Sequence, residues 1–245
     1  MGPVRVIVEA LARDGVEAEI LEALEGWTDL STFWRESSDP SLLFRVASAA
    51  GLDPRWSIAA ALDCAWAVAE YVGPDEPRPR EALLAVRNWL EGRIGAEECR
   101  RHAEGAEAAA RAYRDARKDV DASLRRSYRA AAYASYAAAR TAALAADAGL
   151  TAELHYDEHY TFEDAWEGVR QRCGEECGRV ARDVVEAAVS AAAAQVTHAT
   201  GSYVAGGAAA SEARAAAMRW AADIVRARIP VEHVVNAARA RHGSV

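Results

Sequence analysis

The sequence predicts an all-α protein, and three features carry that expectation. Apolar residues recur at helical spacing in almost every segment, glycine and proline fall between those segments, and alternating β-branched runs are nearly absent. The expected architecture is one domain over 1–245, a compact bundle of eight to ten mostly antiparallel helices. Apolar residues make up 51% of the chain, but much of that is alanine, which buries little area per residue. Seven tryptophans (Trp27, Trp34, Trp56, Trp66, Trp89, Trp166 and Trp220) are therefore expected to anchor an otherwise thin core.

The elements follow in order. Pro3 opens a short amphipathic helix that ends near Asp14-Gly15. A second runs from about Val16 to Glu25, with Ile20, Leu21 and Leu24 inward and Gly26 as its stop. Trp27, Leu30, Phe33 and Trp34 recur at helical spacing and make an aromatic face expected to cap one end of the core. Asp39-Pro40 and Asp53-Pro54 are one signal used twice, a carboxylate N-cap followed by proline at the first helical position. The first starts a helix ended by Gly51; the second starts one that carries Trp56, Leu62, Cys64 and Trp66 towards a stop at Gly73-Pro74. In the corner Asp75-Glu76-Pro77-Arg78-Pro79 the prolines fix φ, and Pro79 suits the first turn of the next helix, which stops at Gly92.

From 96 to 146 an unbroken helix would be roughly 75 Å long at 1.5 Å per residue. That is long for a domain of this size, so a break is expected at Gly105 or at Val120-Asp121-Ala122-Ser123, where Asp121 can cap a new start. The alanine clusters of 130–146 let helices approach closely at little entropic cost, and a tight antiparallel pair is their natural use. Gly149 is expected to end this part, with a polar loop over 150–160. Thr161-x-x-Asp164 resembles a capping box that starts a long helix at Phe162, running towards Val196. Gly201, Gly206 and Gly207 are read as a turn before a helix through Met218, Trp220, Ile224 and Val225, and a short helix follows from Val231. No fixed period marks a solenoid.

Charge and cysteine usage narrow the function classes. A formal net charge of −8 argues against a general nucleic-acid binder and suits plain solubility or a basic partner. The basic run from Arg111 to Arg129 is interleaved with Asp115, Asp119 and Asp121, which makes a solvated helix face the better reading than a phosphate groove. Cys64, Cys99, Cys173 and Cys177 are too sparse for a disulfide framework and read as reduced thiols of a cytoplasmic protein. The run 4–8 is too short and too interrupted by charge for a signal peptide, and no stretch approaches the ~20 apolar residues of a membrane span. There is no phosphate-cradling glycine loop, nucleophile elbow or convincing triad, so neither a cofactor nor a catalytic residue is expected.

One motif competes with that reading. His155-Tyr156-Asp157-Glu158-His159 fits H-x-x-E-H, which places two histidines one helical turn apart with a glutamate beside them as general base. Cys173 and Cys177, also one turn apart, would complete a two-histidine, two-cysteine zinc set on paper. The context disfavours both versions: the pentapeptide sits before a helix start, and small thiols suit an alanine-rich packing face. No metal is expected, with His155, His159, Cys173 and Cys177 as the alternative.

Asp63-Cys64-Ala65, Asp75, Arg78-Pro79-Arg80 with Ala82, Arg87, Gly92 and Glu97-Glu98, followed by an Ala/Arg helix, form a recognisable series. It resembles a family of alanine-rich, all-helical bacterial proteins regarded as immunity proteins of polymorphic toxin systems. The resemblance is clearest over 62–145, with a weaker piece from Ala222 to Pro230, and the first fifty residues fall outside it as an added N-terminal element. It implies a non-catalytic module that binds a protein partner, a toxin of basic character among the candidates. It carries over no catalytic residue. Asp63, Asp75, Arg78 and Arg80 instead have a ready structural role, arginine forks locking the corner through carboxylates or helix-end carbonyls, with a partner interface as the other use. A metal-dependent hydrolase built on His155, Glu158 and His159, and a helical scaffold, are the alternatives.

Overall fold

Capping chemistry sets the early boundaries. Asp29 accepts from the Thr32 N–H, Asp39 from the Ser41 and Leu42 N–H groups, and Asp53 from that of Arg55; each begins a helix, and the last two precede proline as the sequence requires. The computed structural model describes residues 8, 9, 12, 18–27, 29–115, 122–154 and 162–242, and every regular element among them is helical. In chain order these are α1 (Ala18–Glu25), α2 (Leu30–Glu36), α3 (Pro40–Ala49), α4 (Pro54–Trp66), a 3₁₀ turn (Ala69–Tyr71), α5 (Arg78–Leu90), α6 (Ala96–Asp115), α7 (Ala122–Leu154), α8 (Phe162–Thr200), α9 (Tyr203–Arg228) and α10 (Val231–His242). The helix expected from Pro3 lies almost wholly outside the described residues.

The organising element is α8, which packs against α3, α4, α7 and α9. Alanine makes the α7 side of this packing close: Ala131, Ala134, Ala138 and Ala142 are buried, and the Ser127 hydroxyl donates to the Ala187 carbonyl across the pair at 2.9 Å. Glycine does the same on the α3 side. A Cβ on Gly174 would stand 2.7 Å from the Ser48 Cβ, and one on Gly178 would stand 2.7 Å from the Ser41 hydroxyl. A single hydrophobic cluster runs from Leu24 to Ala238 and draws on every helix just named.

Several boundaries differ from the sequence reading. α4 ends at Trp66, short of the expected stop at Gly73-Pro74, and a 3₁₀ turn follows, with Val68, Ala69 and Val72 buried around it. Of the long 96–146 pattern the described parts are α6 and α7, and the expected capping residue Asp121 lies outside the described residues; Gly105 stays inside α6, where the Arg78 stem lies over it. Gly149 does not end α7: a mid-helix glycine costs about 1 kcal/mol, and flanking alanine and leucine outweigh it. Gly201, at φ +67, is the turn after α8, whereas Gly206 and Gly207 lie within α9. There Gly206 lets α9 close on α8, since a Cβ would collide with Thr197 and approach the Ala193 carbonyl to 3.0 Å.

The tryptophans are also less uniform than expected. Trp34 and Trp89 are buried, Trp27 and Trp66 are partly so, and Trp56 and Trp220 are exposed at 36% and 37%. The volume they were expected to supply comes from Phe33, Phe44, Leu43, Ile58 and Leu83, together with many alanines. The aromatic cap does form: Trp27 meets Phe33 edge-on at 5.8 Å, and the Trp34 indole N–H donates to the Ile229 carbonyl at 3.2 Å.

Candidate functional site

Two prolines bring the corner residues together only in part. Arg78, at the start of α5, forks onto Glu76: its Nε donates to Oε1 at 2.6 Å, and its terminal nitrogen donates to Oε2. These hydrogen bonds hold the Glu76 carboxyl below its ordinary range and raise the Arg78 guanidinium. Asp63 is committed elsewhere, to Arg228 on α9 at 2.6 Å. Asp75 and Arg80 are exposed and make no hydrogen bond or ion pair among the described residues. The neighbouring cation is Arg87, whose guanidinium lies 5.3 Å from the Trp66 ring centre.

The H-x-x-E-H pentapeptide and Thr161 lie outside the described residues. Cys173 and Cys177 face inward from α8 into the core. Burial pushes the Cys173 thiol up to about 12 and raises the Cys177 thiol well above its ordinary value. Among the described residues no group of three histidine, cysteine or acidic side chains is placed to hold a metal.

A site that no sequence motif marks opens between α3, α8 and α9. The cleft has a volume near 480 Å³, and its charged lining residues are Asp39, Arg45, Arg182, Asp183, Glu186 and Arg214. Glu186 accepts from Ser190 at 3.2 Å and faces Arg214 at 3.5 Å, while Asp183 has no hydrogen-bond or ion-pair partner among the described residues. Burial pushes the Asp183 carboxyl up to about 7, against the pull of Arg179 and Arg182. The local pattern carries a signal for it: Asp183 interrupts an apolar run in which Val180, Val184 and Val185 are all buried. The one hydroxyl in the lining, Ser41, is packed against Gly178. The cleft thus offers hydrogen-bonding and charge recognition; its lining pairs no nucleophile with a base.

On a different part of the surface aromatic rings meet cations and imidazole. Trp56 stacks on His233 with ring centres 4.6 Å apart, and the adjacent Arg55 lies over Trp89 at 5.8 Å. Leu84 on α5 is 45% exposed. Trp and Arg are the side chains that most often dominate binding energy at protein interfaces.

The fold defines the class of the protein as an all-α helical bundle. Within this class, residues 55–167 match the family model described as Imm-5 like putative immunity protein. The matched residues run from the start of α4 into α8 and contain the Arg-Pro-Arg corner; the cleft and 222–230 lie outside them. No curated protein and no solved structure matches the chain.

Proposed function

We propose that the chain is a non-catalytic protein-binding module, an immunity protein that neutralises a cognate bacterial toxin. The match of 55–167 to the immunity family carries this reading. The net charge of −8 supports it, because an acidic blocker gains association rate towards a basic toxin by electrostatic steering. The contact surface we assign is the exposed part of the matched segment, with Trp56 and Leu84 as apolar anchors and Arg55 beside them. Arg78 braces the corner through Glu76, and the whole span 1–245 works as one folded unit, an assignment that rests on the shared core cluster.

The test is protection. The chain is co-expressed with the toxin encoded beside its gene, and growth and co-purification are followed. Rescue by the native chain, lost in Trp56→Ala at unchanged melting temperature, is the expected result. Failure of the native chain to bind or protect against any toxin encoded next to it would overturn the reading.

A further inference from the structure

The α8–α9 hairpin carries a stretch unlike the rest of the chain. Residues 187–211, comprising the end of α8, the turn at Gly201 and the start of α9, contain no Asp, Glu, Lys or Arg, so all 29 basic and all 37 acidic residues lie outside them. The stretch is not hidden. Ala199, Thr200, Gly207 and Ala208 are exposed, Tyr203 is exposed at 73% and Val204 at 86%. An outward helix face on a soluble protein ordinarily carries charge. The hairpin is also held as a unit, because Gly206 seats against Thr197 and Ala193, and Val185, Val189, Ala217 and Ala221 form a small core of their own beneath it.

We propose that this charge-free end of the hairpin is an isologous interface on which a second copy of the chain docks through the same residues. Charge selects the occupant. Each copy carries −8, so two copies repel over most of their surfaces. An isologous contact sets each patch against its own twin, where like charges would oppose one another. A face without charge is where two such chains meet at least cost. A basic partner, by contrast, is steered towards carboxylates, and this end of the molecule offers none. Tyr203 and Val204 supply apolar area at the tip, and the outward glycine and alanine positions let a second helix approach with almost no rotamer entropy lost. The inference is independent of the immunity reading.

Sedimentation equilibrium of the full chain over a wide concentration range tests it. The expected mass rises from the 26.3 kDa of one chain to about twice that value. Val204→Glu combined with Ala208→Glu sets carboxylates against their own copies across the two-fold, and association weakens at least about tenfold. Both positions are exposed, so helicity and melting of the dilute chain stay as in the native protein, whereas Ala108→Glu, a change at an exposed position on α6, leaves association intact. A native chain that remains monomeric throughout, or a double variant that associates as tightly as the native chain, overturns the proposal. So does loss of capture by a second protein in the double variant of a chain that is otherwise monomeric, which reassigns the face to that protein.

Discussion

Arg228 donates from Nε to the Oδ2 of Asp63 at 2.6 Å, fastening the end of α9 to α4 across 165 residues of sequence. That hydrogen bond is the main reason the Arg228 guanidinium is raised above its ordinary value. Both side chains are partly open to solvent, which screens the pair. A double-mutant cycle of Asp63→Ala and Arg228→Ala is expected to give a coupling of about 0.5–1 kcal/mol. A coupling near zero would show that the pair fastens nothing.

The two arginines of the corner should separate. Arg78 binds Glu76 and covers Gly105 with its stem, so Arg78→Ala is expected to lower stability by about 1 kcal/mol. Arg80 makes no such contact, and Arg80→Ala should stay within about 0.5 kcal/mol of the native chain. Urea denaturation of both variants reads the difference; equal losses would reject this division of roles.

Adjacent glycines of α9 should respond with opposite signs. A Cβ at Gly206 collides with Thr197 and crowds the Ala193 carbonyl, whereas one at Gly207 meets nothing within 4 Å. Gly206→Ala is expected to destabilise by about 1–2 kcal/mol. Gly207→Ala should stabilise by up to about 1 kcal/mol through helix propensity. Thermal melts of the pair decide the matter, and a stabilising Gly206→Ala would refute the close contact.

Asp183 should leave a mark on the pH dependence of stability. Burial pushes its carboxyl up to about 7 from an ordinary 3.8; Arg179, Arg182 and Arg129 oppose the shift and Glu186 adds to it. The folded chain therefore retains a proton that the unfolded chain gives up. Its contribution is full below about pH 4, declines as pH rises to about 7, and is flat above that. Asp183→Asn should remove this decline and raise stability at pH 8 by about 1–3 kcal/mol relative to the native chain. Denaturant titrations of both proteins at pH 5 and pH 8 provide the check, and parallel pH profiles would place Asp183 in solvent.

Chelation should leave the fold untouched. Cys173 and Cys177 are buried in the apolar core cluster, where packing accounts for small side chains without a ligand role. A structural zinc contributes on the order of 10 kcal/mol to folding, so removing one would be obvious in a melt. Unchanged helicity and melting temperature after chelator treatment are expected. About one zinc per chain by elemental analysis, lost in both His159→Ala and Cys173→Ala, would restore the two-histidine, two-cysteine alternative.

Local chemistry was readable from the chain. Asp39-Pro40, Asp53-Pro54 and the stops at Gly51 and Gly92 came through because a cap or a positive φ is decided by a few neighbouring residues. The alanine face of 130–146 announced a close helix pair for the same reason. Side-chain type also placed Cys173 and Cys177 on a packing face.

Tertiary structure decided what depends on distant neighbours. Gly206 and Gly207 look alike in sequence, and only the crossing of α8 by α9 makes one indispensable and leaves the other open. Gly174 and Gly178 likewise acquire meaning only when Ser48 and Ser41 arrive from α3. Asp63 looked like a corner residue until α9 returned with Arg228. The Asp183 cleft needs three helices from separate parts of the chain. A cap is settled over about one turn of helix, but a cavity, a close approach or an ion pair at long range is settled by how helices cross, and no local pattern encodes that crossing.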